Sequence, residues 1–226
     1  MYKEPVKIDP AILERKQAAA PALKIRPPIE WVLNDEGRII DVETEGFTFA
    51  NKVRKWIGQL FFNTIVTFVP SHTIRLAWLR YFGADIGKGS AVMRGTQVQD
   101  IHLLTIGENS TIGMRCVIDC RSGIYIGNNV TLASDVQLLA GGHDMNHPDF
   151  PINHPNPTVI EDYVWIASRS MVLPAHIKRG GVVAAHALVV KDVEELEIVG
   201  GNPAKPIGTR NPDALKYSAG YRPLFM

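Results

Sequence analysis

The stretch Leu104–Leu138 runs LTIGENSTIGMRCVIDCRSGIYIGNNVTLASDVQL. In it Ile106, Ile112 and Ile118 fall six apart, and so do Ile126, Leu132 and Leu138. A helix would repeat its apolar positions every 3.6 residues and a plain strand every two, so six fits neither. Outward from this stretch the same register holds. Ile86, Val92 and Val98 precede it, and Ile160, Ile166, Val172 and then Ile177, Val183, Val189 follow it. A period of six predicts a short strand, a corner and another short strand, with the apolar residue pointing into a narrow core. Three such sides close a coil of about 18 residues, and the next coil stacks about 4.8 Å above it. Glycine directly follows Ile86, Ile106, Ile112 and Ile126, with Ala167 and Ala184 at that place later. We read it as the small residue that lets the backbone turn beside the core. The pattern predicts a mainly β fold, a parallel β-helix from about Ile86 to Val199. Two coils carry extra residues at one corner, near Ile101–Leu103 and Arg121–Gly123, and the step from Val172 to Ile177 is one short.

The flanks follow other rules. Residues 1–50 are expected to form an arm, loose or lying on a neighbour, with a small hairpin turning at Asp35–Gly37. Residues 51–84 have helical spacing: Val53, Trp56, Ile57, Leu60 and Phe61, then Ile74, Ala77 and Trp78. They are expected to cap the open end of the β-helix, whose strand edges would otherwise be exposed. Lys52, Arg54, Lys55, Arg75 and Arg80 flank those apolar positions, which leaves peripheral membrane contact as the alternative. Residues 85–226 form the β-helix domain, with a loop at 143–159 and an extended tail.

Composition excludes several classes. The 226 residues carry a net charge of +1, which provides no field for nucleic acid. Cys116 and Cys120 match no zinc spacing and are too few for a disulfide framework. The first residues lack the apolar core of a signal peptide, and no stretch reaches the roughly 20 apolar residues of a spanning helix. A cytoplasmic location is expected, with the inner face of a membrane open through the cap.

The repeat breaks once, between Leu138 and Ile160, and the break holds His143, His147 and His154. Long excursions from a compact repeat are usually functional. The motifs around it are Gly142-His143-Asp144, then Ile160 to Ala167 containing Val164-Trp165-Ile166, and Leu173-Pro174-Ala175. Val189-Val190-Lys191-Asp192-Val193 and Gly201-Asn202-Pro203-Ala204-Lys205 follow. In order and spacing this resembles the hexapeptide-repeat acyltransferases, over about Trp56 to Arg210. The His143-Asp144…Phe150 pattern looks most like the branch that acetylates exopolysaccharide sugars such as colanic acid. The resemblance implies a left-handed β-helix, acetyl-CoA as co-substrate with no metal required, and a homotrimer with sites between chains. It implies a sugar or saccharide acceptor, the fold itself being shared by many substrates.

The same resemblance assigns roles. His143 is the general base, able near neutral pH to take a hydroxyl proton and hand it to the leaving thiolate. The backbone N–H of Ser168 stabilises the tetrahedral oxyanion. Trp165 walls the site, or only packs. Asp144 orients the imidazole, holds the acceptor or caps its own loop. Ala167 and Ala185 line the pantetheine groove with Ser168, and Lys191 and Lys205 meet the CoA phosphates. A further family arginine falls on Gly208, with Arg210 near enough to replace it. The acceptor asparagine of the galactoside and maltose branches falls at Gly113 and an acceptor carboxylate at Arg121, which argues against those substrates. Asp119 is the nearby candidate for acceptor contact. N-acetylation of an amino sugar or antibiotic uses the same base and stays open. Two rivals use the fold differently. One is a γ-class carbonic-anhydrase-like enzyme with metal on His102, His143 and His147 brought together across a subunit boundary, and the other is a non-catalytic scaffold.

Overall fold

The computed structural model of the protein describes residues 9–27, 29–44, 48–152 and 156–223. The period of six becomes three stacked parallel faces. Face 1 holds Asp85–Ile86, Leu104–Ile106, Ile124–Ile126, Thr158–Ile160 and His176–Ile177. Face 2 holds Ala91–Val92, Thr111–Ile112, Thr131–Leu132, Trp165–Ile166, Val182–Val183 and Glu197–Gly200, closed by antiparallel Lys205–Thr209. Face 3 holds Gln97–Gln99, Val117–Asp119, Gln137–Leu138, Met171–Val172 and Leu188–Val189.

The rungs match the sequence register. Ile86 pairs with Ile106, Ile106 with Ile126, Ile126 with Ile160 and Ile160 with Ile177. Every inward position from Val92 to Val189 is buried, and Ile86 at the open end is partly so. Each buried Val, Leu or Ile contributes roughly 1.5–3 kcal/mol relative to exposure. All departures from the repeat fall at the corner between faces 3 and 1. There the chain forms a short 3-10 turn at Ile101–Leu103, turns at Arg121–Gly123, and sends out the loop after Leu138.

The glycines have a different reason from the one expected. Gly107 and Gly113 are not left-handed. A Cβ there would lie 2.7 Å from the carbonyl carbon of Gly127 and 2.5 Å from that of Ala133, one coil above. They are small because stacked backbones touch. The left-handed corner positions come two residues after each such glycine, as at Asn109 and Arg115.

Helix α1 (Pro10–Ala19) starts at Asp9, whose carboxylate accepts the Ala11 N–H at 2.9 Å. It and the residues after it lie on face 1 of the same chain, correcting the expectation of a loose or neighbour-bound arm. Ala20 and Leu23 bury against Val159 beside Ile25 and Tyr125. Thr105 Oγ1 donates to the Ala22 carbonyl, and Lys24 reaches the Gly83 carbonyl and Asp85. Strands β1 (Ile29–Leu33) and β2 (Ile39–Thr44) then form an antiparallel hairpin.

Helices α2 (Phe49–Thr64) and α3 (His72–Tyr81) sit at the first coil, where Phe62, Val66, Leu76 and Leu79 join the core. The open strand edge, however, is met by amides. Asn63 bonds both the N–H and the carbonyl of Val98, and Gln59 Oε1 accepts the Asp100 N–H. Most of the apolar row of α2 therefore faces solvent, where a cap would have buried it.

Candidate active site

The loop leaves the third coil at the corner between faces 3 and 1. Its start and end are held together by a bridge between His143 and Ile152 and by the Asp144 N–H donating to the Pro151 carbonyl. Within it, Phe150 has φ +46°, an uncommon conformation for an aromatic residue. That turn sets the Phe150 ring flat on the His143 imidazole, with centroids 4.3 Å apart and 6° between planes. It also puts the Phe150 carbonyl 2.7 Å from His143 Nδ1. A carbonyl only accepts, so Nδ1 carries a proton, and in the neutral ring the lone pair is therefore on Nε2, the arrangement a general base requires.

The hairpin holds the loop from outside. Asp149 Oδ2 accepts the Ile39 N–H at 3.0 Å and Oδ1 pairs with the Arg38 guanidinium. The Ile39 N–H first, and Arg38 with it, hold the Asp149 carboxyl below the usual carboxylate range. From the other end, Lys16 of α1 donates to the Pro157 carbonyl at 2.6 Å. Lys16 is fully buried, and desolvation lowers its pKa from the usual 10.5 to about 8.

The other candidates separate by position. Asp144 caps its own loop by accepting the Asn146 N–H, and its carboxylate has no contact with the imidazole among the described residues. His147 Nδ1 accepts the Asp149 N–H at 3.1 Å, a structural role. His154 lies outside the described residues. Asp119 corrects an expectation. It is 3% exposed, and both its oxygens are taken by Arg121, at 2.8 and 2.6 Å. It presents no open carboxylate to an acceptor, and the exposed partner there is Arg121. Within one chain His102, His143 and His147 form no common cluster, and no three His, Cys, Asp or Glu side chains among its described residues are grouped to hold a metal. Burial pushes the Cys116 thiol up to about 12 and Cys120 well above its usual value, so neither is a ready nucleophile.

A groove of about 690 Å³ runs along face 2 and the corner between faces 2 and 3. Trp165, Ala167, Ser168, Ala185 and Arg210 all line it, with Ala133, Val182, Ala184 and Ile198. Trp165 is 47% exposed. Ser168 and Ala185 occupy matching places in successive coils, and among the described residues nothing in the chain accepts the N–H of either. Such a floor of small side chains and open donors suits an extended amide-bearing chain. Arg210 is tied down by the Tyr163 carbonyl at 2.7 Å and the Tyr217 hydroxyl at 2.9 Å. Lys191 and Lys205 are exposed beyond the groove's lining.

No described residue of the His143 loop lines this groove. Face 3 separates the corner that emits the loop from the corner that carries Ser168. Missing from the sequence reading were the roles of Phe150, Asp149 and Arg38. Phe150 was visible only as part of a motif, and nothing in the spacing tied Arg38 to a residue more than a hundred positions away.

No family model matches the chain. It is 29% identical over 169 residues to the colanic acid biosynthesis acetyltransferase WcaF assigned in Escherichia coli, covering 74% of this chain and 92% of that one. Among solved structures, a maltose O-acetyltransferase from Clostridium difficile is 26% identical with a TM-score of 0.61, covering 71% of this chain and 86% of that one. A hexapeptide-repeat acetyltransferase from Vibrio cholerae, solved with acetyl-coenzyme A, has a TM-score of 0.65 at 24% identity. It covers 75% and 93% of the two chains, and at that identity the likeness speaks for the fold.

Proposed function

We propose that this chain is a hexapeptide-repeat acetyltransferase that moves an acetyl group from acetyl-CoA to a hydroxyl of a saccharide, with His143 as general base. The observation that carries this reading is the His143–Phe150 arrangement, which fixes the tautomer and puts the neutral ring's lone pair on Nε2. The thioester is already activated, so direct attack suffices. As the hydroxyl oxygen bonds the acetyl carbon, its proton passes to His143 Nε2. The carbon–sulfur bond then breaks, and that proton goes to the leaving thiolate. The Ser168 N–H supplies the oxyanion donor and Ala167 and Ala185 the floor for the pantetheine arm, while Trp165 walls the site. Lys191 and Lys205, exposed beyond the groove, would meet the CoA phosphates, and Arg210 adds charge within its lining. Asp144 contributes by shaping the His143 loop. A saccharide acceptor is supported by the names of the sugar acetyltransferases the chain resembles.

The base and the oxyanion donor lie at different corners of one chain. We infer a homotrimer in which the loop of one copy meets the groove of the next. This reading expects a cytoplasmic location, where a CoA thioester would be at hand.

The test is calorimetric acetyl-CoA titration of the purified chain followed by a subunit-mixing assay. One acetyl-CoA should bind per chain, with release of free thiol when a saccharide acceptor is supplied. His143→Ala and Ala185→Trp chains, each inactive alone, should regain partial turnover when unfolded and refolded together. Absence of acetyl-CoA binding would reject the acetyl-CoA assignment. Binding without recovery in mixed assemblies would reject the site between chains.

A further inference from the structure

Helix α2 is inverted relative to an ordinary surface helix. Its amides, Gln59 and Asn63, turn toward the first coil and bond the strand edge. Phe49, Val53, Trp56, Ile57 and Leu60 turn to solvent, with Phe49 82% and Trp56 64% exposed. Phe61, Phe68 and Tyr81 extend this surface toward α3. A contiguous apolar surface of this kind marks an interaction face on a folded protein.

Its charge identifies the partner. From Thr48 to Ala84 there is no aspartate or glutamate, against five lysines and arginines. At the chain's average of 23 acidic residues in 226, a stretch of this length would hold about four. Arg75 is buried under α3, bonded to Val92 and His72. Lys52, Arg54 and Arg80 are exposed and Lys55 half-buried, beside an apolar row that includes a tryptophan; Arg54 and Arg80 donate to the neutral carbonyls of Tyr81 and Ile86, which leaves their charge uncompensated by those bonds. No described helix is long and apolar enough to cross a membrane. Aromatic and aliphatic side chains on helices that carry cations and no carboxylates match the interface of an anionic bilayer, where the rings enter the headgroup region and the cations meet lipid phosphates.

We propose that the solvent face of α2, with the end of α3, docks on an anionic lipid bilayer. The His143 loop leaves the third coil, so along the β-helix it stands two coil rises, about 10 Å, from the coil that α2 edges. The bound enzyme would then work on saccharides held at the membrane surface, a consequence that rests on the acetyltransferase reading. In a cyclic trimer the three α2 faces share one end, and their weak contacts add by avidity.

The test is flotation of the full chain with vesicles of phosphatidylglycerol and phosphatidylcholine at moderate ionic strength, which needs no turnover. Wild type should float with these vesicles and not with phosphatidylcholine alone. Trp56→Ser/Leu60→Ser and Lys52→Glu/Lys55→Glu should each weaken flotation about tenfold or more. Both should keep their acetyl-CoA affinity and their assembly mass by light scattering. The proposal is overturned if wild type fails to float or floats equally with neutral vesicles. It is also overturned if the double variants float like wild type, or if the serine variant loses assembly mass, which would make α2 a contact between copies. Failure of acetyl-CoA binding in wild type would count against the acetyltransferase reading and leave the flotation result standing.

Discussion

In the coils each rung repeats the one beneath it. Leu132 lies between Ile112 and Ile166, and Leu138 lies between Ile118 and Val172. In the loop that leaves after Leu138 each contact is made once. One ring lies on His143, one carbonyl accepts from it, one carboxylate meets the hairpin, and one buried lysine reaches Pro157. The coils are stable because many similar burials add up. The loop is placed by a few specific contacts with segments far away in sequence. Stability should therefore reside in the coils and chemistry in the loop, and the two should be separable by mutation.

The sharpest separation should come from His143→Ala. Turnover should fall about 10³-fold, within the range of a lost general base, while the melting temperature stays that of wild type. Turnover within fivefold of wild type would break the comparison. Leu132→Ala should do the reverse, lowering unfolding free energy by about 2–5 kcal/mol in denaturant titration, with the folded fraction turning over within about threefold of wild type.

Lys16 joins the two regions, since α1 lies on face 1 and its ammonium reaches the loop's end. Its folded pKa of about 8 is below the usual 10.5. Between those values the unfolded chain binds more protons, so stability rises with pH, and below about pH 8 the buried charge carries its full penalty. Wild type should gain on Lys16→Met by up to ~3 kcal/mol as pH rises through that window. A flat difference between the two would mean that Lys16 is not buried as a cation.

The smallest effect should be at Asp149. Asp149→Ala should lower kcat about tenfold through a misplaced Phe150 while leaving the KM for acetyl-CoA and the melting temperature close to those of wild type. Asp149→Asn, which can still accept the Ile39 N–H, should recover part of the loss. An unchanged kcat in both variants would show that the hairpin does not position the loop.

The coil register was legible because it is local. Each inward side chain is set by residues within six positions of it, and the burial from Val92 to Val189 agrees. The glycines were legible as small but not for the right reason, since the Cβ clash at Gly107 is with another coil. Other misses share a cause. Helical spacing marked an apolar row on α2 without saying that Gln59 and Asn63 would take the strand edge. Ala20, Leu23 and Ile25 follow no period, so their burial on face 1 left no trace in the pattern. Asp119 looked free until its neighbour Arg121 closed on it.

The sequence by itself determined the stacked coils, their register, the corner that carries every irregularity and the histidine-bearing loop. Repetition writes those features into short stretches of chain. Only the tertiary structure decided that Phe150 fixes the His143 tautomer, that the hairpin and Lys16 hold the loop, and that the loop and the Ser168 groove lie at different corners. Those outcomes depend on which remote segments come within hydrogen-bonding distance, and a bond between Arg38 and Asp149 has no periodicity to announce it.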